Sequence, residues 1–357
     1  MTLFRSKKSR LPDNNISGRR ASAKKYFHAE RPDGELLISI DILIALSPLL
    51  IWSIYLYGLR PVVIAAVSAV SALILDYLVL LAVRRKGAPD LSAAVSGVLI
   101  ALFMPASAPL WLPLFTSAIA VTVKNINRSL HRVVVNPALI PLLVCLIAFP
   151  DIMAAVPKAG TWLDPFALSV SGFDPAETDA ITTVMSGFLP NISAGEMFFG
   201  MRDGMIGEAS AFLILAGGIY LCSRKIFKAL MPLSYIAAIA IIAYLQPTLT
   251  AASDMVALKG ALYHILGANT FLCAVYLTQD HETIPNHLIG SLIAGIIGGS
   301  VTVLLRSYVS IELSALLGIL AMNVMSPALS LLFRRAPFGG YIKPELFDRL
   351  VNKEDKQ

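Results

Sequence analysis

Charge is scarce in this chain. Of its 357 residues only 15% are Asp, Glu, Lys or Arg, whereas 56% are hydrophobic; a soluble domain carries about 25% charged residues. A water-soluble globule is excluded on that ground, and the long apolar runs make the chain an all-α polytopic membrane protein. Cysteine is scarcer still: Cys145, Cys222 and Cys273 are the only three. They form no CxxC pair and no metal spacing, which leaves each as a small hydrophobe in or near a helix. Walker, GxSxG and HExxH motifs are missing, and His281 has no second histidine at ligand spacing. No acid–base or nucleophile constellation is visible, so chemistry carried out by this chain alone is not expected. A secretory signal is not expected either, because the first 34 residues are polar and carry nine Lys or Arg. The net charge of +6 is not a nucleic-acid footprint, since the basic residues flank apolar runs.

What is present is a succession of ten apolar segments: 36–58, 61–83, 91–105, 109–124, 134–150, 207–222, 229–246, 260–278, 286–305 and 311–333. Several are shorter than the roughly 20 residues that cross a bilayer, which suggests broken helices lining an internal site. With the N-terminus in the cytoplasm, Arg84-Arg85-Lys86, the segment from Lys124 to Arg132, Arg224-Lys225-Lys228 and the tail from Arg334 all fall inside. The 151–205 segment then falls outside, with seven acidic residues against Lys158 and Arg202. Five segments before that loop and five after it place the halves in opposite orientations. "VVNPALIPLLV" (134–144) closes the first half as "MNVMSPALSLLF" (322–333) closes the second, and "GVLIALFMPASAP" (97–109) stands where "FLCAVYLTQDHETIP" (271–285) stands. The expected organisation is a basic cytoplasmic tail (1–34), a five-helix repeat (35–150), an extracytoplasmic loop (151–206), a second five-helix repeat (207–333) and a cytoplasmic tail (334–357).

Ionisable residues within spans are costly and point to function by default. Asp41 and Asp76 lie in the first two segments, Glu208 opens the sixth, and Asp280, His281 and Glu282 cluster at the end of the eighth. For Asp41 and Asp76 a helix-packing hydrogen bond or a pair with a neighbouring arginine is the plainer reading. For Asp280 and its neighbours it is a solvated cytoplasmic loop. Glu208 follows Gly207 at an expected helix start, where a carboxylate meets the positive end of the dipole. "GGSVT" and "AGGIYL" place glycines in apolar helices, where close packing is a better reading than a phosphate cradle.

Several stretches together resemble the D-type component of the Rnf complex and the related B-type component of the sodium-pumping NADH:quinone reductase. "SIDILIALSPLLIWSIYLYG" resembles the family's first span and "NPALIPLL", with Asn136, its Asn-Pro-Ala segment. "FFGMRDGMIGEASAFLILAGGIYL" (198–221) is the most specific: Gly204, Ile206, Gly207, Glu208, Ser210, Gly217 and Gly218 match the family's run. "LTQD", ending on Asp280, and "LLRSYVSIELSALLGILAMNVMSPAL" resemble its last spans. The resemblance implies ten helices in two inverted five-helix repeats. It also implies a membrane complex that couples electron transfer between ferredoxin and NAD to ion movement, with other subunits as partners, in the bacterial inner membrane. Finally, it implies a flavin mononucleotide (FMN) joined through its phosphate to an outer threonine by a flavin transferase.

The family's acceptor motif runs Asp-Ala-x-[Ser/Thr]-[Gly/Ser/Thr]-Ala-Thr. Here "TDAITTVMSG" (178–187) supplies Asp179, Ala180, Ile181, Thr182 and Thr183, then Val184 and Met185, so the acceptor position holds a thioether. Met185 cannot form the phosphoester. The anchor is either shifted to Thr182, Thr183 or Ser186, or lost. A second departure is "NRSLHRVVVNPA" (127–138), where Arg128, His131 and Arg132 stand in place of the family's glycines. The resemblance thus implies a divergent family member holding riboflavin or FMN non-covalently near Asn136, Gly207, Glu208 and Asp280, or a paralogue without flavin. The alternative is an ion or small-solute transporter on the same scaffold.

Overall fold

The structure is a computed structural model and describes residues 32–82, 90–130, 135–176, 180–186, 188, 190–200, 202–208, 210–245, 254–267, 269–279 and 288–333. Among these residues the fold is helical, with one isolated bridge between Pro157 and Pro175 and no strand. The first half contributes α1 (Pro32–Tyr57), α2 (Arg60–Ala82), α3 (Ser92–Leu102), α4 (Trp111–Leu130) and α5 (Leu139–Ala148). Three short helices follow: α6 (Pro150–Ala154), α7 (Ala180–Met185) and α8 (Ala194–Phe199). The second half contributes α9 (Ala211–Ser223), α10 (Leu230–Tyr244), α11 (Asp254–Leu266), α12 (Thr270–Leu277), α13 (Leu288–Leu305) and α14 (Ile311–Leu332).

Each of the ten apolar segments coincides with helix, and the chain is a polytopic membrane protein. Length singles out fewer crossings: α1, α2, α13 and α14 are long and apolar enough to span alone. The helices α11 and α12 reach the same length and apolarity only as a pair, bent by 65° at the break between them, as in a broken span or a re-entrant loop. The helices α3, α5, α9 and α10 are apolar but shorter. Two boundaries differ from expectation. The eighth segment begins in helix at Asp254 rather than 260; Asp254 and Lys259 interrupt the apolar pattern over its first six residues. The sixth begins at Ala211 rather than 207, capped by the Ser210 hydroxyl, which accepts from the Leu213 amide at 3.4 Å.

Packing has the same plan in the two halves. In the first, α2 lies against α3 and α4; in the second, α10 lies against α11 and α13. Across the halves, α1 packs on α9 and α5 packs on α14. One apolar core runs through both, from Leu46 and Ile64 to Ala294 and Met322. The 150–208 segment covers one end of the bundle. There Tyr263 Oη donates to Ile192 O at 2.8 Å and Trp52 Nε1 donates to Gly200 O at 3.0 Å.

At the opposite end lie the intramembrane acids. Asp41 on α1 accepts from Tyr220 Oη at 2.8 Å and pairs with Arg224 at 3.0 Å, both from the far half. Fully buried Asp76 on α2 lies 3.5 Å from Lys124 Nζ, which also reaches Asp90 at 3.3 Å. Both acids therefore follow the plainer expectation, with a base as partner in each case.

Candidate functional site

A helix ending inside a membrane leaves carbonyls without donors, and lipid supplies none. The helix α3 stops at Leu102 among fully buried residues, and the chain continues through Phe103 and Met104 to Pro109. Two of the four carbonyl bonds made by one buried side chain hold this connection. Arg60 Nε donates to Ala106 O at 2.8 Å and Nη2 to Ala108 O at 2.9 Å. Its Nη1 donates to Asp164 O at 2.7 Å and Ala167 O at 3.0 Å, tying the same cation to the covering segment. The end of α3 itself is closed by the 202–208 loop. Ile206 N donates to Met104 O at 3.0 Å, and Gly207 N donates to Leu102 O at 2.7 Å. A Cβ at Gly207 would stand 2.7 Å from Leu102 Cβ, so only glycine lets the two backbones meet.

Glu208 shapes that loop. Its carboxylate pairs with Arg202 and accepts from Met205 N at 3.3 Å, while Arg202 also donates to Glu208 O at 3.1 Å. Tyr57 Oη donates to Gly204 O at 2.9 Å and accepts from Gly204 N at 3.1 Å. The expected helix-start role of Glu208 is corrected: it lies before the helix, and its partner is a buried arginine rather than a dipole. Gly207 and Glu208 thus build a plug at the end of α3.

The matching end in the second half is held differently. In α12 the residues Cys273–Leu277 form a π-turn, a geometry frequent at functional sites. Asn136 Nδ2 reaches Leu277 O at 3.5 Å, while Asn136 Oδ1 accepts from Ala138 N at 2.9 Å. Gln279 clasps the Lys228 peptide, its Nε2 donating to Lys228 O and its Oε1 accepting from Lys228 N, both at 2.9 Å. Tyr276 Oη donates to Ala45 O at 3.2 Å through a gap that Gly217 leaves open; a Cβ there would collide with that hydroxyl. Asp280 lies outside the described residues, as do Asp179, His131 and Arg132.

The anchor-like segment is the short helix α7. Ala180, Ile181 and Val184 are buried, whereas Thr182 and Ser186 are exposed on the opposite face. Ser186 Oγ donates to Thr182 O at 2.9 Å. Thr183 is half-buried. Met185 is half-buried too and packs against Ile181 and Ile311. A phosphate-linked flavin does not fit the acceptor position: the side chain has no hydroxyl and is committed to an apolar contact. Ile181 also seats α7 on the break after α11, where Gly267 admits it closely. Beside that break buried Arg306 donates to His264 Nδ1 and Thr270 Oγ1, both at 2.6 Å.

Sequence reasoning missed Arg60, Tyr57, Arg202 and the Arg306–His264 pair. Arg60 was readable only as a basic flank at the start of an apolar run. A lone arginine beside Pro61, far from the charge clusters that set topology, is the one signal that could have marked it.

The NQR2, RnfD, RnfE family model matches residues 24–339. The chain belongs to this family. Within it, the chain is 26% identical over 327 residues to the D-type component of the Stutzerimonas stutzeri ion-translocating oxidoreductase complex, covering 85% of this chain and 91% of the relative. It is 27% identical over 308 residues to the D-type component of the Acetobacterium woodii Na(+)-translocating ferredoxin:NAD(+) oxidoreductase complex, covering 84% and 89%. To the D-type component of the Clostridium ljungdahlii proton-translocating ferredoxin:NAD(+) oxidoreductase complex it is 25% identical over 312 residues, covering 84% and 90%.

Proposed function

We propose that this chain is the D-type membrane component of an ion-translocating, ferredoxin:NAD-type electron-transport complex, and that its covalent flavin linkage has been lost. One observation carries the reading: a family match running from 24 to 339 coexists with a thioether at the acceptor position, packed on Ile181 and Ile311. The scaffold is kept and the anchor is not. Any flavin is then riboflavin or FMN held without a phosphoester, and a flavin transferase has no hydroxyl to modify at Met185. The partners are the other subunits of the complex. The membrane is the bacterial inner membrane, with both termini cytoplasmic and the 151–206 loop outside. Pairing of α1 with α9 and of α5 with α14 supports two inverted five-helix repeats, since a pseudo-two-fold axis brings equivalent helices together.

The test is in-gel flavin fluorescence after denaturing electrophoresis of the chain co-expressed with a flavin transferase. A dark band is expected, and a band lit by Val184→Ala with Met185→Thr. A fluorescent wild-type band that vanishes when Thr182, Thr183 and Ser186 are changed to Ala would replace anchor loss with a shifted anchor. Affinity purification from native membranes tests the complex: co-purifying redox subunits are expected, and a chain that purifies alone and colourless would favour a transporter.

A further inference from the structure

The covering segment contains a stretch that does not suit water. Between Lys158 and Asp174 the only ionisable residue is Asp164, and its Oδ1 turns back to accept from Phe166 N at 3.0 Å. In the same stretch Trp162 is 76% exposed, Phe166 76% and Leu168 79%. These are among the most exposed large apolar side chains in the described chain.

This stretch is not a loose loop. Gly160 N donates to Leu56 O at 2.9 Å and Leu163 N to Tyr57 O at 3.3 Å, tying it to the end of α1. The Arg60 bonds to Asp164 O and Ala167 O tie it to the start of α2. Leu110 N donates to Leu168 O at 3.0 Å, just before α4 begins at Trp111. Leu163 is buried beneath it, and Trp162 lies over the Gly58 turn that joins α1 to α2. Its height is therefore fixed at the ends of two full-length spans, where the hydrocarbon layer stops. The exposed apolar surface continues onto those ends through Tyr55 and Leu59, and onto α4 through Trp111 and Phe115. All three tryptophans of the chain, Trp52, Trp111 and Trp162, lie at this end. Indole rings collect at the membrane–water boundary, where an apolar body and a polar N–H are both accommodated.

We infer that residues 160–168 form a plate lying in the lipid interface, with Trp162, Phe166 and Leu168 immersed at the headgroup–acyl boundary of the leaflet facing the 150–208 segment. The occupant of this surface is lipid, continuous with the lipid-facing sides of α1 and α2. Continuity favours lipid over a partner protein: the same apolar surface runs on into the exposed sides of α1 and α2.

The experiment uses the full chain in nanodiscs of phosphatidylcholine and phosphatidylglycerol, with Trp52→Phe and Trp111→Phe leaving Trp162 as the only indole. Trp162 emission should be blue-shifted, should lose most of its intensity to lipid brominated near the headgroup end of the acyl chain, and should be unaffected by aqueous iodide. Iodide quenching without bromolipid quenching would overturn the inference in favour of a water-facing loop. Insensitivity to both would overturn it in favour of a protein cover. Should the double variant fail to fold, the wild-type chain carries the same test with a diazirine-bearing lipid. Label on the peptide containing residues 159–173 is expected, and its absence while α1 and α2 peptides are labelled would overturn the inference.

Discussion

The ends of α3 and α12 face the same problem, carbonyls released within a membrane, and solve it with different chemistry. At α3 two backbone amides of the 202–208 loop close Leu102 O and Met104 O, and beyond it a buried cation, Arg60, grips two carbonyls of the connection and two of the covering segment. At α12 the donor is a neutral amide, Asn136, beside a π-turn, and Gln279 just beyond it clasps the Lys228 peptide. A guanidinium fixed by four short bonds has no second arrangement of similar energy. A π-turn beside a 3.5 Å amide contact is held more weakly, because each such bond is worth only about 1 kcal/mol. The first end is a strut, and the second is where a small movement is cheap.

The largest test of that contrast is Arg60→Leu. The buried carbonyls of Ala106 and Ala108 lose their donor, and buried unsatisfied groups cost about 1–3 kcal/mol each, so destabilisation on the order of 4 kcal/mol is expected. Thermal unfolding in detergent would read it, and an unchanged midpoint would break the strut description. Gly217→Ala comes next. The added methyl meets Tyr276 Oη, and overpacking of this kind costs about 1–3 kcal/mol. Adding Tyr276→Phe should return part of the loss, and strict additivity in that double-mutant cycle would show that the π-turn is not gripped there.

Asn136→Ala and Gln279→Ala sharpen the other side, with losses of about 1 kcal/mol each in the same assay. Hydrogen exchange at the α12 amides should rise in both. Losses as large as that of Arg60→Leu would erase the distinction. The smallest effect is a pH dependence at the start of α3. Burial pushes the Asp90 carboxyl up, but the Ser92 hydroxyl, the Lys124 ammonium and the Ser92 amide outweigh it and hold it below the ordinary carboxylate value. A depressed folded value means stability present above the unfolded pKa and lost as pH falls through the folded one. Acid below the ordinary carboxylate range should therefore lower the protection factors, taken relative to the slower intrinsic exchange at that pH, at the first turn of α3, and Asp90→Asn should remove that dependence.

Much of the fold was legible because lipid imposes a simple rule: apolar runs become helices, and ten runs did. Boundaries failed where charges interrupt an apolar run, as at Asp254 and Lys259, or where a family motif looked like a helix start, as at Glu208. The pairing of Asp41 was legible as a type of contact but not as a contact with Arg224, because periodicity says nothing about partners in the other half. At Met185 the sequence exposed the missing hydroxyl, while the apolar seat against Ile311 depends on a helix more than a hundred residues later. Arg60 was invisible as a clamp because its acceptors are backbone carbonyls, which every residue has.

The pairing of Asp41 with Arg224 also sets a schedule for biogenesis. Arg224 follows Asp41 by 183 residues. At about 5–20 residues per second a ribosome needs roughly 9–37 s to deliver it. For that interval the Asp41 carboxylate is without the Tyr220 and Arg224 partners it has in the fold. Chains truncated before α9 should stay bound to the insertion machinery or reach the membrane protease, whereas chains ending just beyond it should already hold their first helix in place.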